Sequence, residues 1–223
     1  MIGRTGVWGR SGSGKSSFVK ATIRGRKRII VFDPLGEYGA EGLKLIEHKS
    51  RDGLDHVRQA MAKSWRTFRL AYIPPAGKEV AALNGLSRLL LRAQANFQAT
   101  GRGAEILLVV EEMNLAFPVA GGAEKNPGFA AICSRGRHYG IEVIGVSQRI
   151  AEVATRFRGN CSETVVFAQK GARDLDAAAI ETGAGKDVIR NLKNLEYVFT
   201  SGGTVCRGKI VFKRGKPHTH THE

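Results

Sequence analysis

No stretch of this 223-residue chain approaches the roughly 18 uninterrupted apolar residues that a membrane-crossing helix requires. A transmembrane segment of its own is therefore not expected. Cysteine is scarce, and Cys133, Cys161 and Cys206 are widely separated and odd in number, which excludes a disulfide framework or a zinc knuckle and suits a reducing compartment. The opening MIGRTGVWGRSGSGKSS has no secretory core, because its short apolar patch runs straight into a glycine-serine loop. The length leaves little room for a second complete core, so one domain over residues 1–216 is expected, followed by a flexible tail at 217–223. His218, His220 and His222 recur in that tail. Fraying is expected there, and no native metal site is assigned.

Acidic residues are also few, with 20 Asp plus Glu against 35 Lys plus Arg, a net charge of +15. A neutral metabolite enzyme gains nothing from such an excess. It favours a polyanionic partner, either nucleic acid or an anionic membrane surface.

What the sequence does contain begins at residues 9–17, GRSGSGKSS, which fits GxxxxGK[ST] and reads as a phosphate-binding loop. Gly9, Gly12 and Gly14 let backbone N–H groups turn inward around anionic oxygens, with Arg10, Ser11, Ser13 and Ser17 completing the cradle. Lys15 is placed for the β/γ-phosphates of ATP and Ser16 for Mg²⁺. Thr5, Val7 and Trp8 supply a short strand before the loop, and residues 17–23 a helix after it, whose N-terminus adds its dipole to the site.

Residues 29–32 form a second buried strand that leaves through DPLGEY. In an open α/β sheet that exit lies on the ligand edge. Asp33 and Glu37 can there orient water, Mg²⁺ or a neighbouring subunit, or serve only as a polar turn. Short strands are expected at 43–46 and 68–73, a helix at 53–64, and a long helix at 78–97. ILLVV at 106–110 is a fully buried strand ending in Glu111 and Glu112. Paired carboxylates there are the second half of an ATPase signal: Glu111 to bind Mg²⁺, Glu112 to polarise the attacking water, Asn114 to hold the same network.

Residues 117–129 read as a glycine- and proline-rich loop, 129–139 as a helix with a basic end, and 141–146 as a strand leaving through Ser147 and Gln148. Gln148 is placed to touch the γ-phosphate or the catalytic water. Arg137 is the first choice for an arginine donated across a subunit interface, with Arg149, Arg156 and Arg158 as competitors. Beyond these come a strand at 164–167, helices at 172–182 and 186–192, and a hairpin from 195–200 and 204–212 around Gly202 and Gly203.

The run GRSGSGKSS, FDPLGEY, ILLVVEE and SRGRHYGIEVIGVSQRIAEV resembles the FtsK and HerA superfamily of P-loop DNA-translocating ATPases over roughly residues 5–167. The resemblance implies a RecA-like α/β fold with a mostly parallel sheet, working as a homohexameric ring on double-stranded DNA. The family's aspartate-glutamate pair is Glu111 and Glu112 here, a departure at the first position. The near-minimal length further resembles the genome-packaging ATPases of membrane-containing icosahedral, tectivirus-like bacteriophages. That narrower likeness implies packaging of a viral genome, capsid vertex proteins as partners, and a place at the packaging vertex or in the host cytoplasm. A host conjugation or plasmid protein, a small-molecule P-loop kinase, and a nucleotide-dependent DNA-binding or assembly protein are the alternatives.

Overall fold

The computed structural model describes residues 2–47 and 53–222. The chain opens with β1 (Arg4–Trp8), α1 (Lys15–Thr22), β2 (Arg28–Phe32), β3 (Lys44–Glu47), α2 (Gly53–Lys63) and β4 (Phe68–Ile73). Next come α3 (Glu79–Ala93), α4 (Ala95–Thr100), β5 (Ile106–Val110), α5 (Met113–Ala116), α6 (Gly122–Lys125), α7 (Pro127–Arg135) and β6 (Ile141–Ser147). It closes with α8 (Thr155–Arg158), β7 (Glu163–Phe167), α9 (Ala172–Thr182), α10 (Lys186–Arg190), β8 (Glu196–Ser201), β9 (Thr204–Lys213) and β10 (Lys216–His222).

The strands form one sheet in the order β10-β9-β8-β7-β1-β6-β5-β2-β4-β3. Strands β3, β4, β2, β5, β6, β1 and β7 run parallel, and β8, β9 and β10 are added antiparallel. Because successive strand residues face opposite sides, the apolar run of β2 serves two cores. Ile30 and Phe32 join Leu108, Val110, Val143 and the α3 and α7 residues on one face. Ile29 and Val31 join Val7, Phe18, Leu107 and Val109 on the other. This burial on both faces is why the central strands read as unbroken hydrophobic runs.

Phe157 is wholly buried, with its ring 6.2 Å from Trp8, edge on, and 6.0 Å from Phe129, stacked. Phe157→Ala should therefore lose about 3–5 kcal/mol. The measurement is the denaturant midpoint, expected to fall at unchanged slope.

Three expectations change. The helix read over 78–97 is broken at Gln94, whose buried side chain turns inward to the Ala104 carbonyl, 3.1 Å away, and to Arg28. The loop read over 117–129 contains α6, and α7 starts at Pro127, because the Asn126 side chain caps it by accepting from Phe129 N at 3.0 Å. The tail read as flexible from 217 is instead β10, paired with β9 from Lys216↔Lys213 to His222↔Arg207. The signal there was the β-favouring alternation of threonine with histidine, which needs β9 as a partner before it has meaning. No metal-ligating cluster forms among the described residues, and Cys133, Cys161 and Cys206 are free.

Candidate active site

The phosphate loop spans β1 and α1 at the carboxyl edge of the sheet, pinned by its own backbone. Gly9 N donates to the Ser147 carbonyl at 3.3 Å and Arg10 N to Ala168 O at 3.0 Å, while Ser13 O accepts from Leu195 N at 3.0 Å. A Cβ on Gly9 would sit 2.6 Å from Phe167 Cβ, and Gly14 has φ 116°, so both positions require glycine. The N–H groups of Lys15, Ser16 and Ser17 precede the first i to i−4 bond of the helix, Phe18 N to Gly14 O at 2.9 Å, and have no intrahelical acceptor, which suits them to an anion.

Lys15 is 8% exposed, and its ammonium donates to the Arg10 carbonyl at 3.1 Å. Burial pushes its pKa down, against the opposing charges of Glu112, Glu111 and Glu37. A cavity of about 270 Å³ opens beside it, lined by Ser11, Gly12, Lys15, Ser16, Asp33, Leu35, Glu37, Glu111, Glu112 and Gln148. A larger groove of about 520 Å³, between β3 and α2, presents Lys44, Glu47, His56 and Lys63 but no phosphate-binding turn.

Glu111 extends the β5 ladder through its N–H to Phe32 O at 3.0 Å. Its carboxylate accepts from the Tyr38 hydroxyl, and its pKa is pushed up to about 7. Burial is the largest cause; the charges of Glu112 and Asp33 add to it, while the Tyr38 hydrogen bond and Lys15 oppose it. Glu112 follows with φ 44° and ψ 50°, a left-handed conformation that is uncommon outside glycine. Such strain persists where the surroundings over-determine it. Here the side chain is tied to the next strand exit, with Gln148 Nε2 donating to Glu112 Oε1 at 2.9 Å. The two carboxylates thus have different partners. The Ser147 hydroxyl, at the same exit, donates to Asn114 Oδ1 at 2.8 Å and accepts from Arg149 N at 3.0 Å.

The Ser16 hydroxyl and the Glu111 carboxylate are hard oxygen donors of the kind Mg²⁺ takes alongside substrate phosphates, and they line a cavity that also holds a lysine suited to phosphate. The residues present therefore fit Mg²⁺ and a nucleotide.

Of the arginines, Arg149 pairs with Asp174 at 2.9 Å and Glu152 at 3.1 Å, and Arg158 pairs with Glu181 at 3.1 Å. Arg137 is exposed, in the turn Gly136–Tyr139 that precedes β6. The seven residues of β6 separate it from Gln148, roughly 20 Å at the rise of a strand. It stands at the opposite edge of the sheet from the phosphate loop. Sequence reasoning did not single out Tyr38, the last residue of FDPLGEY; an aromatic residue closing a polar turn beside a buried strand was the available signal.

Residues 3–98 match the family model for the central domain of helicase HerA. No curated protein matches the chain by sequence. Among solved structures, the genome-packaging NTPase B204 of Sulfolobus turreted icosahedral virus 2, in complex with AMPPCP, is similar at a TM-score of 0.68 and 14% identity, covering 95% of this chain and 98% of B204. VirB4 of Thermoanaerobacter pseudethanolicus is similar at 0.68 and 14%, covering 95% of this chain and 90% of that one. The pCW3 conjugation coupling protein TcpA, as a monomer with ATPγS, is similar at 0.59 and 14%, covering 92% of this chain and 59% of TcpA. The family model covers the phosphate loop and the DPLGEY turn, and the solved structures share the fold of this chain over nearly its whole length.

Proposed function

We propose that this protein is a Mg²⁺-dependent ATPase that translocates double-stranded DNA as a homohexameric ring and packages a viral genome through a capsid vertex. The observation that carries the reading is that Lys15, Glu111, Glu112 and Gln148 line one cavity of about 270 Å³ beside the phosphate loop. In the reaction, water attacks the γ-phosphorus of ATP, the bond to the β,γ-bridging oxygen breaks, and ADP leaves with that oxygen. Glu112 takes the proton of the water, held in line by Gln148. Lys15 and the first-turn N–H groups of α1 carry the phosphate charge. Ser16 and Glu111 would hold Mg²⁺, which neutralises charge on the β- and γ-oxygens. Arg137 of a neighbouring protomer stabilises the transferring phosphoryl group.

The charge distribution supports a polyanionic partner. Exposed Arg24, Lys27, Arg66, Arg102 and Arg137 lie in the turns that enter β2, β4, β5 and β6, and exposed Arg135 ends α7 just before the last of them. The acids Asp33, Glu37, Glu111 and Glu112 occupy the other edge. The near-complete coverage of B204, a packaging NTPase, supports a packaging role and a place at the vertex or in the host cytoplasm. A small-molecule kinase leaves the basic edge and the Gln148–Glu112 contact without a purpose. An assembly protein that only binds nucleotide has no use for Glu112 beside the cavity.

DNA-stimulated ATP hydrolysis is the test. Duplex affinity should be alike for two unrelated sequences and should fall on the order of 10³-fold from 50 to 200 mM salt if about six phosphates are contacted. A strong preference for one sequence with a shallow salt slope contradicts the motor reading.

A further inference from the structure

Tyr38 is wholly buried, yet its hydroxyl reaches the carboxylate of Glu111. It is held there from the backbone. Its own N–H donates to Asp33 Oδ2 at 3.1 Å, Asp33 N donates to Tyr72 O at 2.9 Å, and Gly36, at φ 71°, closes the turn through its N–H to Asp33 O at 3.3 Å. The ring packs in the same core as Phe18 and Val19 of α1, the helix that carries Lys15 and Ser16. Lys20 of that helix sets its ammonium 5.6 Å from the ring centroid, so one side chain meets the phosphate-loop helix with its ring and the β5 carboxylate with its hydroxyl.

Glutamate at 111 has one more rotatable bond than aspartate, so its carboxylate needs an external partner to hold one position. A carboxylate only accepts, and a phenol is a donor that can fix one oxygen and leave the other free. With Oε1 engaged by Tyr38, Oε2 is the oxygen left for a ligand in the cavity that Glu111 lines. Groups that orient a metal-binding carboxylate in this way commonly govern affinity and rate.

We propose that Tyr38 is a positioning residue that fixes the Glu111 carboxylate for the Mg²⁺–nucleotide complex. This rests on the ATPase reading of the site. Tyr38 takes no part in the bond changes.

The test is Tyr38→Phe, which keeps the ring and removes the hydroxyl, run with Glu111→Asp and the double variant. A shortened carboxylate cannot reach the hydroxyl, so Tyr38→Phe should matter only beside glutamate. Single-turnover hydrolysis should slow about 10- to 100-fold in Tyr38→Phe, the range for losing a hydrogen bond to a charged group. Binding of a fluorescent ATP analogue in EDTA should stay within about twofold, because the phosphate loop is untouched. Mn²⁺ titrated by electron paramagnetic resonance into the nucleotide-loaded protein should bind more weakly, by a similar factor to the rate loss. In the Glu111→Asp background, adding Tyr38→Phe should change Mn²⁺ affinity by less than about twofold. Equal losses in both backgrounds, with a lowered Tm, would mark Tyr38 as core packing only and overturn the proposal. So would unchanged Mn²⁺ binding in Tyr38→Phe. Failure of the unsubstituted protein to bind Mn²⁺ with nucleotide would instead overturn the ATPase reading, and the proposal with it.

Discussion

Glu112→Gln is expected to bind ATP and hold it uncleaved, whereas Lys15→Ala loses the nucleotide itself. Gln148 Nε2 donates to Glu112 Oε1 at 2.9 Å, and a glutamine at 112 keeps a carbonyl acceptor there. The geometry survives while the ability to take a proton is lost. General-base removal costs on the order of 10² to 10⁴ in rate, so single-turnover hydrolysis should fall by that much at near-normal affinity. On the proposed reading Lys15 acts on phosphate in the ground state, and its loss should weaken ATP binding about 10- to 100-fold. Undiminished hydrolysis by Glu112→Gln would transfer the base role to Glu111, whose pKa of about 7 suits a proton acceptor as well.

Arg137→Ala should abolish steady-state hydrolysis and be rescued in mixed rings by a subunit that is itself inactive. The structure gives the physical reason: Arg137 stands at the amino edge of β6, and its own subunit's phosphate loop stands at the carboxyl edge. Arg149 and Arg158 are already engaged by Asp174, Glu152 and Glu181, which leaves Arg137 as the first choice to reach across and the exposed Arg156 as its competitor. A guanidinium offers paired donors to phosphate oxygens that lysine does not reproduce, and a required arginine finger is worth on the order of 10³ to 10⁵ in rate. Lys15→Ala subunits, which retain Arg137, are mixed with Arg137→Ala subunits, which retain the phosphate loop. Partial recovery in verified mixed rings is the expected result. Full activity of Arg137→Ala alone removes the assignment.

The phosphate loop was legible because its constraints are local: glycines that permit φ 116° at Gly14 and close backbone approach at Gly9 are written in consecutive letters. Glu111 and Glu112 were legible because a buried strand must end somewhere polar. The buried central strands were legible from apolar runs too continuous for a half-exposed strand, and the mostly parallel sheet from the family resemblance that the motifs carry. What stayed hidden depends on separated segments. The Tyr38 hydroxyl meets a residue 73 positions away, and no periodicity marks it. The break at Gln94 arises because its side chain finds Ala104 and Arg28, a tertiary contact that overrides a helical pattern. Strand β10 exists only because β9 lies alongside.

The placement of β1 has a consequence for how the chain is made. Its neighbours are β6 and β7, with Gly6 opposite Gly145 and Thr164, so the strand that feeds the phosphate loop is synthesised long before either partner exists. The loop is fastened later still, by Ala168 and Leu195. A topology with such distant contacts closes slowly, and during vectorial synthesis the first half holds the phosphate-loop residues without the scaffold that shapes them. Residues 3–98, which alone match the HerA model, contain β1 but neither strand beside it. A fragment cut at residue 98 should therefore fail to bind ATP, and nucleotide can assist folding only as a late ligand, stabilising the finished sheet by mass action.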